Sequence, residues 1–136
     1  MIKTGFIAGC FDGPDGFHDG HLHLLNEARK YCSKLRVAIN SDNYIRDQKN
    51  REPLCSVFMR ASKLQLSGLV SSVHIFYSNP IDFILEFKPD YIFVGSDYKI
   101  EDVVGYEESK KWGGEVILID RLPNISTTEI INKLKT

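Results

Sequence analysis

Five short apolar runs rich in β-branched residues recur along this chain, and segments with helical spacing separate them. That alternation restricts the fold more than any composition figure does. The strand-like runs cover residues 2–8, 35–39, 72–76, 91–94 and 115–119. The spacing predicts helices over 20–32, 56–66, 79–87 (with Pro80 in the first turn) and 101–112, the last stopped by Gly113-Gly114, and a closing helix over 126–134. Residues 43–53 read as a polar connecting stretch. Strands alternating with helices imply right-handed βαβ units. The expected architecture is α/β: a doubly wound, parallel, five-stranded sheet with helices on both faces, in one domain over 1–136.

In such a sheet the ligand crevice lies beyond the carboxyl ends of the strands. The unusual residues collect there. The first run leads into Gly9-Cys10-Phe11-Asp12-Gly13-Pro14-Asp15-Gly16-Phe17-His18-Asp19-Gly20-His21, a turn with four glycines, three aspartates and two histidines. The second leads into Asn40-Ser41-Asp42, the fourth into Gly95-Ser96-Asp97-Tyr98-Lys99. The fifth leads into Asp120-Arg121 and on to Ser126-Thr127-Thr128. A glycine-rich strand-to-helix turn lets backbone approach a phosphate, and the helix start adds unpaired N–H groups.

The remaining bounds are exclusions. A net charge of −1 lacks the basic excess that nucleic acid or an anionic membrane would require. No apolar run approaches the ~20 residues of a membrane span, and the start has no signal-peptide layout. Three cysteines, Cys10, Cys32 and Cys55, share no metal-like spacing and fit a reducing cytoplasm. His18, His21 and His23 have no evident carboxylate or thiol partner for a metal site. The sequence contains no G-x-x-x-x-G-K-[ST], no G-x-G-x-x-G after a strand, no H-E-x-x-H and no G-x-S-x-G.

Gly9-Cys10-Phe11-Asp12 followed by His18-Asp19-Gly20-His21 resembles the G-x-F-D and H-x-G-H signature of cytidylyltransferase-like nucleotidyltransferases. Arg121 with Ile125-Ser126-Thr127-Thr128-Glu129-Ile130 resembles their C-terminal signature. The resemblance covers essentially the whole chain and implies a Rossmann-like fold. Val94-Gly95-Ser96-Asp97-Tyr98-Lys99, Gly105 and Gly113-Gly114 are similar to adenylyltransferase domains acting on heptose phosphates. Arg121-Leu122-Pro123-Asn124 is similar to glycerol-3-phosphate cytidylyltransferases. One departure stands out: five residues separate Asp12 from His18, where the family usually has two. The extra Pro14-Asp15-Gly16 has tight-turn chemistry, which either bulges outward or reshapes the acceptor pocket.

The resemblance implies attack by an acceptor phosphate on the α-phosphorus of ATP or CTP, with pyrophosphate leaving. Such an acceptor needs no general base, so positioning and charge cancellation carry the catalysis. The implied catalytic groups are His18, His21 and Arg121. Nucleotide contacts fall to Gly9, Phe11, Asp12, Gly20, Lys49, Gly95, Asp97, Ser126, Thr127 and Thr128. Asp12, Arg60, Tyr98 and Lys99 would meet a small phosphorylated sugar or polyol, with Arg51 a weaker companion of Lys49. Mg²⁺ would accompany the triphosphate, and no protein metal site is expected. A homodimer is expected, with Phe76, Tyr77 and Trp112 available for a contact. Bland alternatives run alongside: the histidines as a helix cap, Ser126 as a helix start, Arg60 as a solvated charge, or a nucleotide-binding module without turnover.

Overall fold

A computed structural model of the protein describes residues 2–14 and 16–120. Five strands, β1 (Thr4–Gly9), β2 (Lys34–Asn40), β3 (Ser72–Phe76), β4 (Tyr91–Gly95) and β5 (Glu115–Ile119), form one sheet in the order β3-β2-β1-β4-β5. All four pairings are parallel. The chain winds outward from β1 through β2 to β3, then crosses to β4 and β5 on the other side of β1. The winding direction therefore reverses between β1 and β4, which is where such sheets open a ligand crevice. The register makes the opening explicit. β1 and β4 are paired only at Gly5–Tyr91 and Phe6–Ile92, although the strands run on to Gly9 and Gly95.

Side chains alternate across the sheet with period two and build one core on each face. Ile7, Val37, Ile39 and Phe93 pack with Leu25 and Ala28 of α1 (Asp19–Arg29) and Leu64 of a later helix, Val57–Leu66. Phe6, Ala38 and Ile92 pack on the opposite face with Ile84 of helix Ile81–Phe87, and with Val103.

Two segments differ from the pattern-based expectation. The polar stretch after the second strand holds a helix, α2 (Asp42–Lys49), capped where Ser41 Oγ accepts the Tyr44 N–H at 3.2 Å. Ile45 is its one buried residue, so it lacks the apolar repeat that marks a helix in a sequence. Helix α3 (Val57–Leu66) and helix α4 (Ile81–Phe87) follow as expected, the first with Ser56 as its cap. The single polar helix expected over 101–112 is broken instead. A 3₁₀ turn (Ile100–Asp102) precedes the short α5 (Tyr106–Ser109) and a second 3₁₀ turn (Lys110–Trp112). Gly105 causes the break: its φ is +94°, and a Cβ there would lie 2.8 Å from Ile92 Cδ1. Only glycine satisfies both the left-handed backbone and the close approach.

Trp112 is half-buried and donates its indole N–H to Pro89 O at 2.8 Å, which ties the α5 segment to the start of β4. None of the three cysteines is in a disulfide. Among the described residues no helix is long and apolar enough to cross a membrane. The closing helix expected over 126–134 lies outside the described residues.

Candidate active site

The turn from β1 into α1 is built from the two ends inward. Phe11 takes a positive φ of 50°, uncommon for a bulky residue, and is 2% exposed. Its ring centroid stands 4.8 Å from that of His21. The Gly16 N–H donates to Gly13 O at 3.1 Å, and Pro14 is exposed. Phe17 then turns inward beneath Lys63, whose Nζ lies 5.0 Å from the ring centroid.

His18 is the N-cap of α1. Its Nδ1 accepts the Gly20 N–H at 3.1 Å, while its own N–H donates to His21 Nδ1 at 3.2 Å. The two rings stack with centroids 3.7 Å apart and planes 20° from parallel. This is a capping box made from imidazoles. It also sets the chemistry of the rings. With Nδ1 occupied as an acceptor, each neutral ring carries its proton on Nε2, which makes that nitrogen the donor. The pair is thus the cap of α1, placed at the mouth of the β1–α1 turn.

A cavity of about 370 Å³ opens above the β1–β4 split. His18 and His21 line it together with Gly9, Phe11 and Gly20 from the turn, Lys49 from the last turn of α2, and Gly95 and Tyr98 from the exit of β4. Segments far apart in sequence do meet on one rim. The cavity also includes residues that the motif reading did not assign. Tyr44 belongs to the unforeseen helix α2, and Asn40 ends β2. His23 Nε2 lies 2.9 Å from Asp120 O, joining α1 to the end of β5 at the point where Arg121 follows. The H-x-G-H-x-H spacing was the available signal for His23. Cys10 lines the cavity too, with its thiol 3.5 Å from Asn40 Oδ1. Burial pushes that thiol's pKa up, against the opposing pull of Lys49 and Arg60, which disfavours the thiolate.

Two expected contact residues prove to be framework. The Arg60 side chain is fully buried. Its Nε donates to Cys55 O (3.1 Å), Nη1 to Cys10 O (2.7 Å) and Asn40 O (2.8 Å), and Nη2 to Asp42 Oδ1 (2.7 Å). It clamps the ends of β1 and β2 together and is neither a solvated charge nor a cavity-lining group. Asp12 is equally buried: it accepts the Cys55 N–H (3.0 Å), the Leu54 N–H (2.9 Å) and Arg51 Nη1 (2.8 Å). Its carboxylate organises the loop between α2 and α3. Asp97 and Lys99 are exposed at the exit of β4 and do not line the cavity. Arg121, Ser126, Thr127 and Thr128 lie outside the described residues. Among the described residues no group of three or more His, Cys, Asp or Glu side chains is placed to share a metal ion.

A family model described as cytidylyltransferase-like matches residues 6–133. The chain belongs to the cytidylyltransferase-like family of nucleotidyltransferases. Among curated relatives, the bifunctional protein HldE of Acidiphilium cryptum is 38% identical over 98% of this chain. HldE of Rhodopseudomonas palustris is 40% identical over 96%. The chain spans only 27% and 26% of those proteins, respectively. Among solved structures, a lipopolysaccharide core biosynthesis protein from Thermoplasma volcanium superposes with a TM-score of 0.72 at 22% identity, covering 90% of this chain and 99% of that one. A pantoate-beta-alanine ligase from Francisella tularensis follows at a TM-score of 0.62 and 16% identity, over 99% of this chain and 66% of that one. These two likenesses speak for the Rossmann-like fold.

Proposed function

We propose that this nucleotidyltransferase joins AMP from ATP to a heptose 1-phosphate, forming ADP-heptose and releasing pyrophosphate. The observation that carries the reading is the stacked His18–His21 pair, locked with Nε2 as its donor nitrogen, on the wall of the cavity at the winding reversal. The identity to HldE proteins supports the choice of acceptor. In the reaction an acceptor phosphate oxygen forms a bond to the α-phosphorus as the bond to the pyrophosphate oxygen breaks. The acceptor is already anionic, so no protein base is needed. The Nε2–H donors and the start of α1 stabilise the charge that builds on the transferring phosphate. Lys49 contributes a point charge to the triphosphate from the α2 side.

In this reading Arg121, Ser126, Thr127 and Thr128 hold the outer phosphates, as the family signature assigns them. Mg²⁺ arrives with ATP and neutralises phosphate charge. Asp120, the one carboxylate among the described residues lining the cavity, suits an ion that keeps phosphate and water as its main ligands. The working unit is a homodimer.

The test is pyrophosphate release measured with each of the four NTPs against a panel of sugar and polyol phosphates. ATP with heptose 1-phosphate is expected to be fastest. CTP with glycerol 3-phosphate leading would replace the acceptor and base assignment. Nucleotide binding with no pyrophosphate from any pair would make the chain a binding module.

A further inference from the structure

His23 is the third imidazole on the cavity wall, and the transfer chemistry assigns it no task. It stands half-buried in the second turn of α1, the helix that the His18–His21 cap begins. Its Nε2 lies 2.9 Å from Asp120 O, 97 residues away in sequence. A carbonyl oxygen only accepts, so this contact makes Nε2 the protonated nitrogen of the ring. Asp120 is where the chain leaves β5, and it lines the same cavity. The preceding carbonyl, Ile119 O, accepts the Ser96 N–H at 2.9 Å from the exit of β4. The sheet therefore holds the strand as far as Ile119, and α1 takes over at Asp120.

We infer that His23 is a positioning residue for the outer phosphates of the nucleotide, fixing the point from which the chain leaves β5 for Arg121. The role rests on the nucleotidyl-transfer reading, in which Arg121, Ser126, Thr127 and Thr128 hold those phosphates. Arg121 is next to Asp120 in sequence, so the oxygen that His23 holds belongs to the peptide joining the two. That peptide is planar, and holding its oxygen sets the direction in which the chain departs. A helix presents such a donor more firmly than a loop would. The outer phosphates are bound both before and during transfer. Loosening their hold therefore raises KM and leaves kcat in place. His18 and His21 act instead on the charge that develops at the transferring phosphate, and so on kcat. The imidazoles of one helix start divide into two tasks.

The experiment compares wild type with His23→Leu, which fills the ring's space without a donor, and His23→Gln, whose amide N–H can replace the bond. Calorimetry with Mg²⁺ and no acceptor measures Kd for ATP and for AMP, which lacks the outer phosphates. His23→Leu is expected to weaken ATP about three- to tenfold, the scale of one hydrogen bond, and AMP by less than about twofold. His23→Gln should recover most of the ATP affinity. In pyrophosphate release, His23→Leu should raise KM for ATP by the same factor, with kcat within about twofold of wild type. Equal weakening of ATP and AMP, no weakening of either, a fall in kcat at unchanged KM, or no recovery in His23→Gln overturns the inference. Should His23→Leu melt below wild type, His23→Ala carries the same ATP-to-AMP comparison. Absence of pyrophosphate from every acceptor overturns the transfer reading instead, and the ATP-to-AMP ratio still decides the role of His23.

Discussion

Two polar clusters sit a few residues apart at the end of β1 and follow opposite rules. His18 and His21 cap a helix on the cavity wall. Arg60, Asp12, Asp42 and Arg51 lie beneath the same rim, with Arg60 and Asp12 fully buried. Both clusters use side-chain types that suit phosphate, and the motif pattern treats them alike. Burial separates them. A group that must interact with a developing charge has to keep a donor for the ligand. A guanidinium whose Nε and both Nη atoms already donate to the protein holds the strands in place instead.

The largest expected effect comes from removing the clamp. Arg60→Met leaves three backbone carbonyls and Asp42 without their donor, and should cost about 3–5 kcal/mol in urea unfolding. Full stability with a loss of acceptor affinity would return Arg60 to the ligand side of the comparison. On the cavity wall the expectation is reversed. His18→Ala or His21→Ala should lower kcat about 10²–10³-fold, as for loss of one transition-state donor. The accompanying loss of stability should be only about 0.5–2 kcal/mol, the worth of a cap. Wild-type turnover in both variants would remove the proposed mechanism.

Asp12→Asn is a finer probe. An amide in that position leaves one of the Leu54 or Cys55 N–H groups unmatched, at about 1–3 kcal/mol, measured again by urea unfolding. Turnover per folded molecule should change by less than about tenfold, because the carboxylate faces protein groups; a hundredfold loss at unchanged stability would show ligand contact.

The smallest effect concerns a histidine away from the rim. His74 lies between Phe83 and Phe87, with ring centroids at 5.1 and 4.9 Å. Burial lowers its pKa below the ordinary 6.5, Arg36 adds to that, and Glu86 opposes it. Its neutral form is the one favoured in the folded state, so between the lowered pKa and 6.5 the unfolded chain binds more protons. Stability should be undiminished above 6.5 and fall slightly as pH drops through that window. Melting temperatures at pH 7.5 and 5.5 check this: His74→Gln should lose less than wild type on acidification. An equal loss in both chains would show that His74 carries none of the pH dependence.

Much of this was open to reading from local pattern. The short apolar runs located all five strands, because hydrophobicity and β-branching are read within a few residues. Ser56 marked a helix start for the same local reason. The histidine pair was legible because its spacing coincides with a strand-to-helix turn. Helix α2 was not, since one buried residue leaves no periodic trace; nor was the break at Gly105, which needs Ile84 and Ile92 to approach from other elements.

The order of apolar and polar residues thus determined by itself that this chain forms a parallel α/β sheet with a glycine-rich turn at its mouth. Only the packed structure decided which charges face that mouth and which lie under it. Whether Arg60 meets a ligand or the ends of β1 and β2 depends on what stands 50 and 20 residues away in sequence. Burial is a property of those distant neighbours, and no local pattern contains it.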